Sequence, residues 1–184
     1  MCDNDIHEST HVSSGPNVVF GPLSGISARG AKLGFVPRYF AYGSNMSRAR
    51  LEARVGSVVV LGRGRLEAYR HQFSKHGRDG TAKGNIERAP GAEVWGVIYD
   101  LDEGQHETLI HYESGYRQTW LEVRNDHGDL IRITSFEAHR IVSGLCPTAE
   151  YLAHYVTGMR EHDLPRHYRA EILRGLEHLI PDLE

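Results

Sequence analysis

The first 36 residues are mostly Ser, Gly, Asn, His and Asp with scattered apolar positions such as Val18-Val19-Phe20, a pattern that predicts a flexible leader outside the core. Regular patterning begins at Arg38-Tyr39-Phe40-Ala41-Tyr42, a run of strand-favouring aromatics that Gly43-Ser44-Asn45 interrupts with turn chemistry. Met46, Leu51 and Val55 then recur at near-helical spacing, which predicts a short helix over 46–55 capped by Ser44 or Ser47. Val58 to Ser74 alternates loosely around Gly62 and Gly64, as a bent or bulged strand does. His76 to Gly80 reads as a turn, Asn85-Ile86-Glu87 as a short strand, and Ala89-Pro90-Gly91-Ala92 as a further turn. Val94 to Tyr99 is almost continuously apolar, so it is expected at the centre of a sheet.

Asp102 can cap a helix that turns Leu109 and Ile110 inward and ends near Gly115. Two strands follow, Thr119 to Arg124 and Leu130 to Glu137, joined by the hairpin-like Asn125-Asp126-His127-Gly128. The last third becomes helical. Pro147-Thr148 opens a helix with Tyr151, Leu152, Tyr155, Val156 and Met159 on one face, and Pro165 starts another carrying Ile172, Leu173, Leu176 and Ile180. Strands followed by helices predict an α+β domain over 37–184, a curved or closed mixed sheet flanked by helices, preceded by the leader at 1–36.

Composition narrows the function classes. A chain of 184 residues that is 40% hydrophobic can bury one core. Its 21 Lys and Arg against 24 Asp and Glu leave no basic excess, so neither nucleic acid nor an anionic membrane is an expected partner. The longest aliphatic run, Val58-Val59-Val60-Leu61, is far shorter than the roughly 20 residues of a membrane helix. Met1-Cys2-Asp3-Asn4-Asp5 is acidic where a secretory signal is basic, and Cys2 and Cys146 cannot form a disulfide framework, so a reducing cytoplasm is expected. Oligomeric state is not readable, and a homodimer stays open.

Several motifs match in letters only. His7-Glu8-Ser9-Thr10-His11 has the zinc-protease spacing but no apolar periodicity to place both imidazoles on one helix face, so no metal is expected there. Gly62-Arg63-Gly64 lacks the third glycine of a dinucleotide loop, and Ala31 breaks the phosphate-loop match between Gly25 and Lys32. Ser44 lacks the flanking glycines of a nucleophile elbow, and Asn45-Met46-Ser47 is a glycosylation sequon without an export signal. His106 with His111, and His162 with His167, read as surface or packing residues.

The segment that carries chemistry is Tyr42-Gly43-Ser44-Asn45, where a strand runs into a helix through small residues. Backbone N–H groups there can stabilise an anion or a developing oxyanion, although an ordinary turn has the same letters. Tyr39-Phe40-Ala41-Tyr42-Gly43-Ser44-Asn45-Met46 resembles the signature of γ-glutamylcyclotransferases. In the family's order follow Glu93-Val94-Trp95-Gly96-Val97, then Glu113 after an Asp-headed helix, then Pro147-Thr148 with Tyr151, and Leu164-Pro165 with Tyr168. The resemblance spans about Arg38 to Leu179 and departs at Ser114, where the family has glycine. It implies a small mixed β-barrel with flanking helices. It also implies conversion of a γ-glutamyl amino acid or γ-glutamyl amine to 5-oxoproline and the free amine, without a cofactor or metal. Tyr39, Phe40, Ala41, Tyr42, Gly43, Ser44, Asn45 and Tyr151 would hold the γ-glutamyl group, and Glu113 would be the acid/base.

Such chemistry needs a carboxyl group with a raised pKa, so Glu113 is expected to be buried against Tyr112, Tyr116 or Trp120. By residue type alone Glu93, Glu122 and Glu137 compete for the role. The loop from Ser74 to Lys83 is expected to contact the leaving group. Two other readings remain: a non-catalytic small-ligand module with the same pocket, and an enzyme that removes a γ-glutamyl protecting group in a specialised biosynthesis.

Overall fold

Tyr39–Ala41 forms β1, buried along its whole length because it lies between two other strands. The computed structural model describes residues 38–180, all within one compact unit; the leader, with Cys2, His7, His11 and the glycines before Lys32, lies outside the described residues. β1 is joined by β2 (Val59–His76), β3 (Ala82–Asp100), β4 (Tyr116–Asn125) and β5 (Leu130–Ala138) in a closed barrel ordered β1-β3-β2-β4-β5. β1 runs parallel to β5 and antiparallel to β3, and the remaining pairs are antiparallel. Closure removes the exposed edges that would template aggregation. Four helices flank the barrel: α1 (Arg48–Val55), α2 (Glu103–Tyr112), α3 (Ala149–Glu161) and α4 (Arg166–Leu173). The α+β mixed barrel is the expected architecture.

The details correct the pattern reading in four places. Ala89 to Ala92 does not end a strand. Glu67 pairs with Glu93 and Tyr69 with Arg88, so these four residues bulge out opposite Ala68 and β3 then resumes against the same partner. Turn chemistry is local, whereas strand continuity is set by the partner. The helix after the turn starts later than expected, because Ser44–Met46 forms a 3₁₀ turn and α1 begins at Arg48 with Ser47 as its N-cap residue. In α2, Asp102 and Gln105 form a reciprocal capping box and Leu109 is buried, but Ile110 is exposed. α4 ends at Leu173, leaving Leu176 and Ile180 beyond it around a short 3₁₀ turn.

Phe40 fills the barrel. Its ring lies over Gly64 and Gly96, which pair in register across β2 and β3 and present no side chain to block it. Val94, Ile98, Leu121, Val123 and Ile133 pack with it in the core. α3 lies against the 44–46 turn, so the C-terminal helix supports the bend that follows β1. No described helix is long and apolar enough to cross a membrane.

Candidate functional site

The bend after β1 turns the chain sharply enough to bring Asn45 back beside Tyr39. Asn45 Nδ2 donates to the Tyr39 hydroxyl at 3.0 Å and to Glu113 Oε1 at 2.9 Å. Glu113 reaches this point because it terminates α2, with its N–H closing the last helical turn onto Leu109. Arg54, near the end of α1, donates through Nη1 to Asn45 Oδ1 at 2.9 Å and to Glu113 Oε1 at 3.2 Å. Asn45 is therefore saturated: its amide hydrogens and carbonyl are all aimed at fixed partners. Its burial and these bonds make it unavailable as a glycosylation acceptor.

Tyr39, Tyr42, Asn45, Glu113, Tyr116 and Tyr151 surround an inner pocket of about 30 Å³, together with Gly43, Ser44, Gly84 and Phe136. Gly84 in β3 anchors two of the tyrosines by its backbone. Its carbonyl accepts from the Tyr116 hydroxyl at 2.7 Å and its N–H donates to the Tyr151 hydroxyl at 3.1 Å. The pocket opens into a groove of about 280 Å³ that shares Ser44, Glu113, Tyr116 and Tyr151. The groove is bordered by Arg50, Arg54, Lys75, Arg78 and Lys83, with Asp79 and Glu113 as its only carboxylates among the described residues. The groove therefore favours an anionic ligand over a cationic one.

Burial pushes the Glu113 carboxyl above the usual carboxylate range, opposed by the Arg54 guanidinium, the Asn45 amide and the more distant Lys75 and Arg50 charges. Across the window from the ordinary carboxylate pKa up to that raised value, the folded protein holds a proton that the unfolded chain releases. Stability must fall as pH rises through that window. Below the window both states are protonated, and above it the ionised carboxylate carries the full burial penalty. Relative to Glu113→Gln, the wild type is expected to lose stability as pH rises above the ordinary carboxylate value of about 4.3, until its raised pKa is passed. Urea unfolding of both proteins across a pH series measures this, and a flat or opposite trend would contradict the assignment.

Of the residues singled out in the sequence, Tyr39, Tyr42, Gly43, Ser44, Asn45, Glu113 and Tyr151 converge on the pocket. Phe40 and Ala41 do not: Phe40 is fully buried over the glycines inside the barrel, and Ala41, one residue on, is fully buried on the opposite face of β1. Tyr39, Tyr116 and Tyr151 line the pocket with Glu113, whereas Trp120 is exposed beneath the Arg132 guanidinium and Tyr112 is exposed beside Arg54. Ser44 Oγ accepts from Arg50 Nε at 3.1 Å, a cation that cannot act as its general base. Glu93 binds Trp95 and Arg65, Glu137 binds Arg117, and Glu122 is exposed, so none of the rival carboxylates lines the pocket. His71 is held neutral by burial, its pKa lowered to about 3, and so carries no charge at neutral pH.

Ser114 lies at negative φ while Gly115 takes the left-handed conformation at +84°, so serine at 114 introduces no backbone strain. The sequence reading passed over Arg50, Arg54, Gly84 and Phe136. Arg50 and Arg54 had a usable signal, their i,i+4 spacing on the face of the predicted helix away from Leu51. Among the described residues no group of three or more His, Cys, Asp or Glu is placed to hold a metal ion.

A model of the AIG2-like family matches residues 93–172. The gamma-glutamylcyclotransferase of Mus musculus is 30% identical over 150 residues, covering 76% of this chain and 78% of that protein. The Bos taurus gamma-glutamylcyclotransferase is 29% identical over 147 residues, covering 73% of this chain and 76% of its own. A solved gamma-glutamyl cyclotransferase structure superposes with a TM-score of 0.68 at 26% identity, over 76% of this chain and 86% of that one.

Proposed function

This chain belongs to the γ-glutamylcyclotransferase family of enzymes, and from that premise we propose that it cyclises a γ-glutamyl amino acid or γ-glutamyl amine, with Glu113 as the proton carrier. The observation that carries this reading is the Asn45 amide bridging Tyr39 and Glu113, which fixes a buried carboxyl group at the bend after β1.

The γ-glutamyl group lies in the inner pocket among Tyr39, Tyr42, Tyr116 and Tyr151, curled so that its α-amine reaches its own γ-carbonyl. An α-amino group with a pKa of about 7.7–8.0 is largely protonated at neutral pH, so its neutral fraction is the nucleophile. Glu113, as the carboxylate, accepts one of the two protons of that neutral amine as the nitrogen bonds to the γ-carbon. The carbonyl oxygen becomes an oxyanion, and when its electrons return the bond to the leaving nitrogen breaks. Glu113 then delivers the proton to that nitrogen, leaving 5-oxoproline and a free amine. Because attack is intramolecular, orientation accounts for much of the acceleration; oriented intramolecular reactions reach effective molarities of roughly 10⁵–10⁸ M.

The Met46 N–H bonds the Gly43 carbonyl at 2.9 Å, so the N–H groups of Ser44 and Asn45, earlier in this 3₁₀ turn, have no partner within it. They are the donors assigned to the oxyanion, where one such bond contributes about 3–4 kcal/mol to transition-state stabilisation.

Purified protein incubated with a panel of γ-glutamyl amino acids and γ-glutamyl amines is expected to release 5-oxoproline and the free amine in equal amounts. Release of glutamate in place of 5-oxoproline would replace cyclisation with hydrolysis. Absence of turnover across the panel would remove the catalytic reading.

A further inference from the structure

The cations around the groove differ in how they are satisfied. Arg54 is bound to Glu113 and Asn45, Arg50 to Ser44, and Lys83 to Asp79 at 2.7 Å and to Thr81. Arg78 is exposed to water. Lys75 is neither paired nor exposed. It is 91% buried near the end of β2, and among the described residues no hydrogen bond or ion pair reaches its ammonium. Its nearest partner is the face of the Tyr116 ring, with Nζ 5.0 Å from the ring centroid. The stem is covered, but the ammonium itself is only partly desolvated and faces the groove, so the ring face leaves its donors open to an anionic acceptor.

Its position gives the charge a use. Lys75 is absent from the inner pocket but borders the outer groove, and it also borders a second cavity of about 400 Å³ on the far side of Ser114 and Gly115. It thus stands where the two outer spaces meet, beyond the seat of the γ-glutamyl group. A leaving group extending outward from the scissile bond passes this ammonium. Among the described residues no carboxylate lines the second cavity, and Arg78 and Arg140 add positive charge there.

We propose that Lys75 is a specificity-determining residue that binds a carboxylate of the departing amine, making the chain selective for γ-glutamyl substrates whose leaving group is anionic. This rests on the cyclotransferase reading and adds to it the chemical class of the leaving group. A diamine or a lysine side chain would bring a second positive charge against Lys75 and be rejected. An amino acid or peptide carboxylate would supply the acceptor that the ammonium lacks. Burial also lowers the pKa of Lys75, while the Glu113 charge raises it, so an arriving carboxylate favours the charged form.

The test compares γ-glutamyl-alanine with its C-terminal amide, which leaves through the same nitrogen but without the charge. The wild type is expected to favour the acid on the order of tenfold to a hundredfold in kcat/KM, the range of a hydrogen bond to a charged group, with most of the difference in KM. Lys75→Met, which keeps the apolar stem, should compress that ratio to within about threefold, and Lys75→Arg should retain a preference for the acid. Lys75→Gln replaces the methionine variant if thermal unfolding shows that the latter is not folded. Equal release of 5-oxoproline from acid and amide by the wild type would overturn the proposal while the cyclotransferase reading stands. A preference that survives removal of the ammonium would overturn the role of Lys75. No 5-oxoproline from either compound or from the wider panel would sink the underlying reading instead.

Discussion

Glu113→Gln is expected to lower kcat for 5-oxoproline release by about 10²–10⁴-fold, the range for loss of a positioned general acid/base, with KM changed by no more than about threefold. Glutamine is the informative replacement because it preserves shape and can still accept from Asn45 Nδ2 and Arg54 Nη1, the two bonds that fix the carboxyl group. What it loses is the ability to take up and return a proton. A neutral amide also removes the pH dependence that the buried carboxyl imposes, so residual turnover should lack the limb that the wild type shows above the ordinary carboxylate pKa. Steady-state kinetics on the best substrate of the panel measures both effects. A kcat within about threefold of wild type would eliminate Glu113 as proton carrier and leave the pocket without one, since His71 is neutral and Glu93, Glu122 and Glu137 lie elsewhere.

The second large effect is expected at a residue that never touches the pocket. Gly158 lies in α3 where the helix presses on the 44–46 turn, and a Cβ built there would overlap the Met46 backbone carbon and side chain and the Ser47 nitrogen. Two contributions oppose each other in Gly158→Ala. Helix propensity favours alanine over glycine by about 0.8–1.0 kcal/mol, while overpacking against a neighbour costs about 1–3 kcal/mol. Here the neighbour is backbone rather than a side chain that can rotate away, so the cost should fall at the upper end. The net expectation is a loss of about 1–2 kcal/mol and a Tm lower by roughly 2–8 °C, together with reduced activity because Ser44 and Asn45 move with the turn. Calorimetry and the 5-oxoproline assay check the two parts separately. A higher Tm would mean that α3 can shift outward at no cost.

The elements that local chemistry dictates were legible in the sequence. Asp102 with Gln105, Thr148, the 43–45 bend and the apolar run from Val94 to Tyr99 all form the structures their residue types favour. Readings failed where a distant partner decides. Ala89-Pro90-Gly91-Ala92 has the chemistry of a turn, yet pairing on both sides of Ala68 turns it into a bulge. Phe40 and Ala41 belong to the same short motif as Tyr39 and Tyr42, but Phe40 fills the barrel interior and Ala41 is buried on the opposite face of β1. Ile110 and Leu109 are adjacent and similarly apolar, and only the direction of α2 separates the buried one from the exposed one. The site followed the same division. The bend was legible in the chain's own letters and Glu113 only through the family resemblance, whereas Gly84 and Phe136 enter through strand register. No periodicity distinguishes Lys75 from a surface lysine.

The bonds at Glu113 have a further consequence. Both Asn45 and Arg54 donate to the same atom, Oε1, so the two carboxylate oxygens are chemically unequal before any substrate arrives. Protonating Oε1 would set a new hydrogen against two donors, whereas Oε2 can take a proton without displacing either bond. In the proposed reaction Glu113 would therefore act as a one-sided base with its working lone pairs chosen in advance. A single oxygen would collect the hydrogen and return it, without rotation of the side chain between the two transfers.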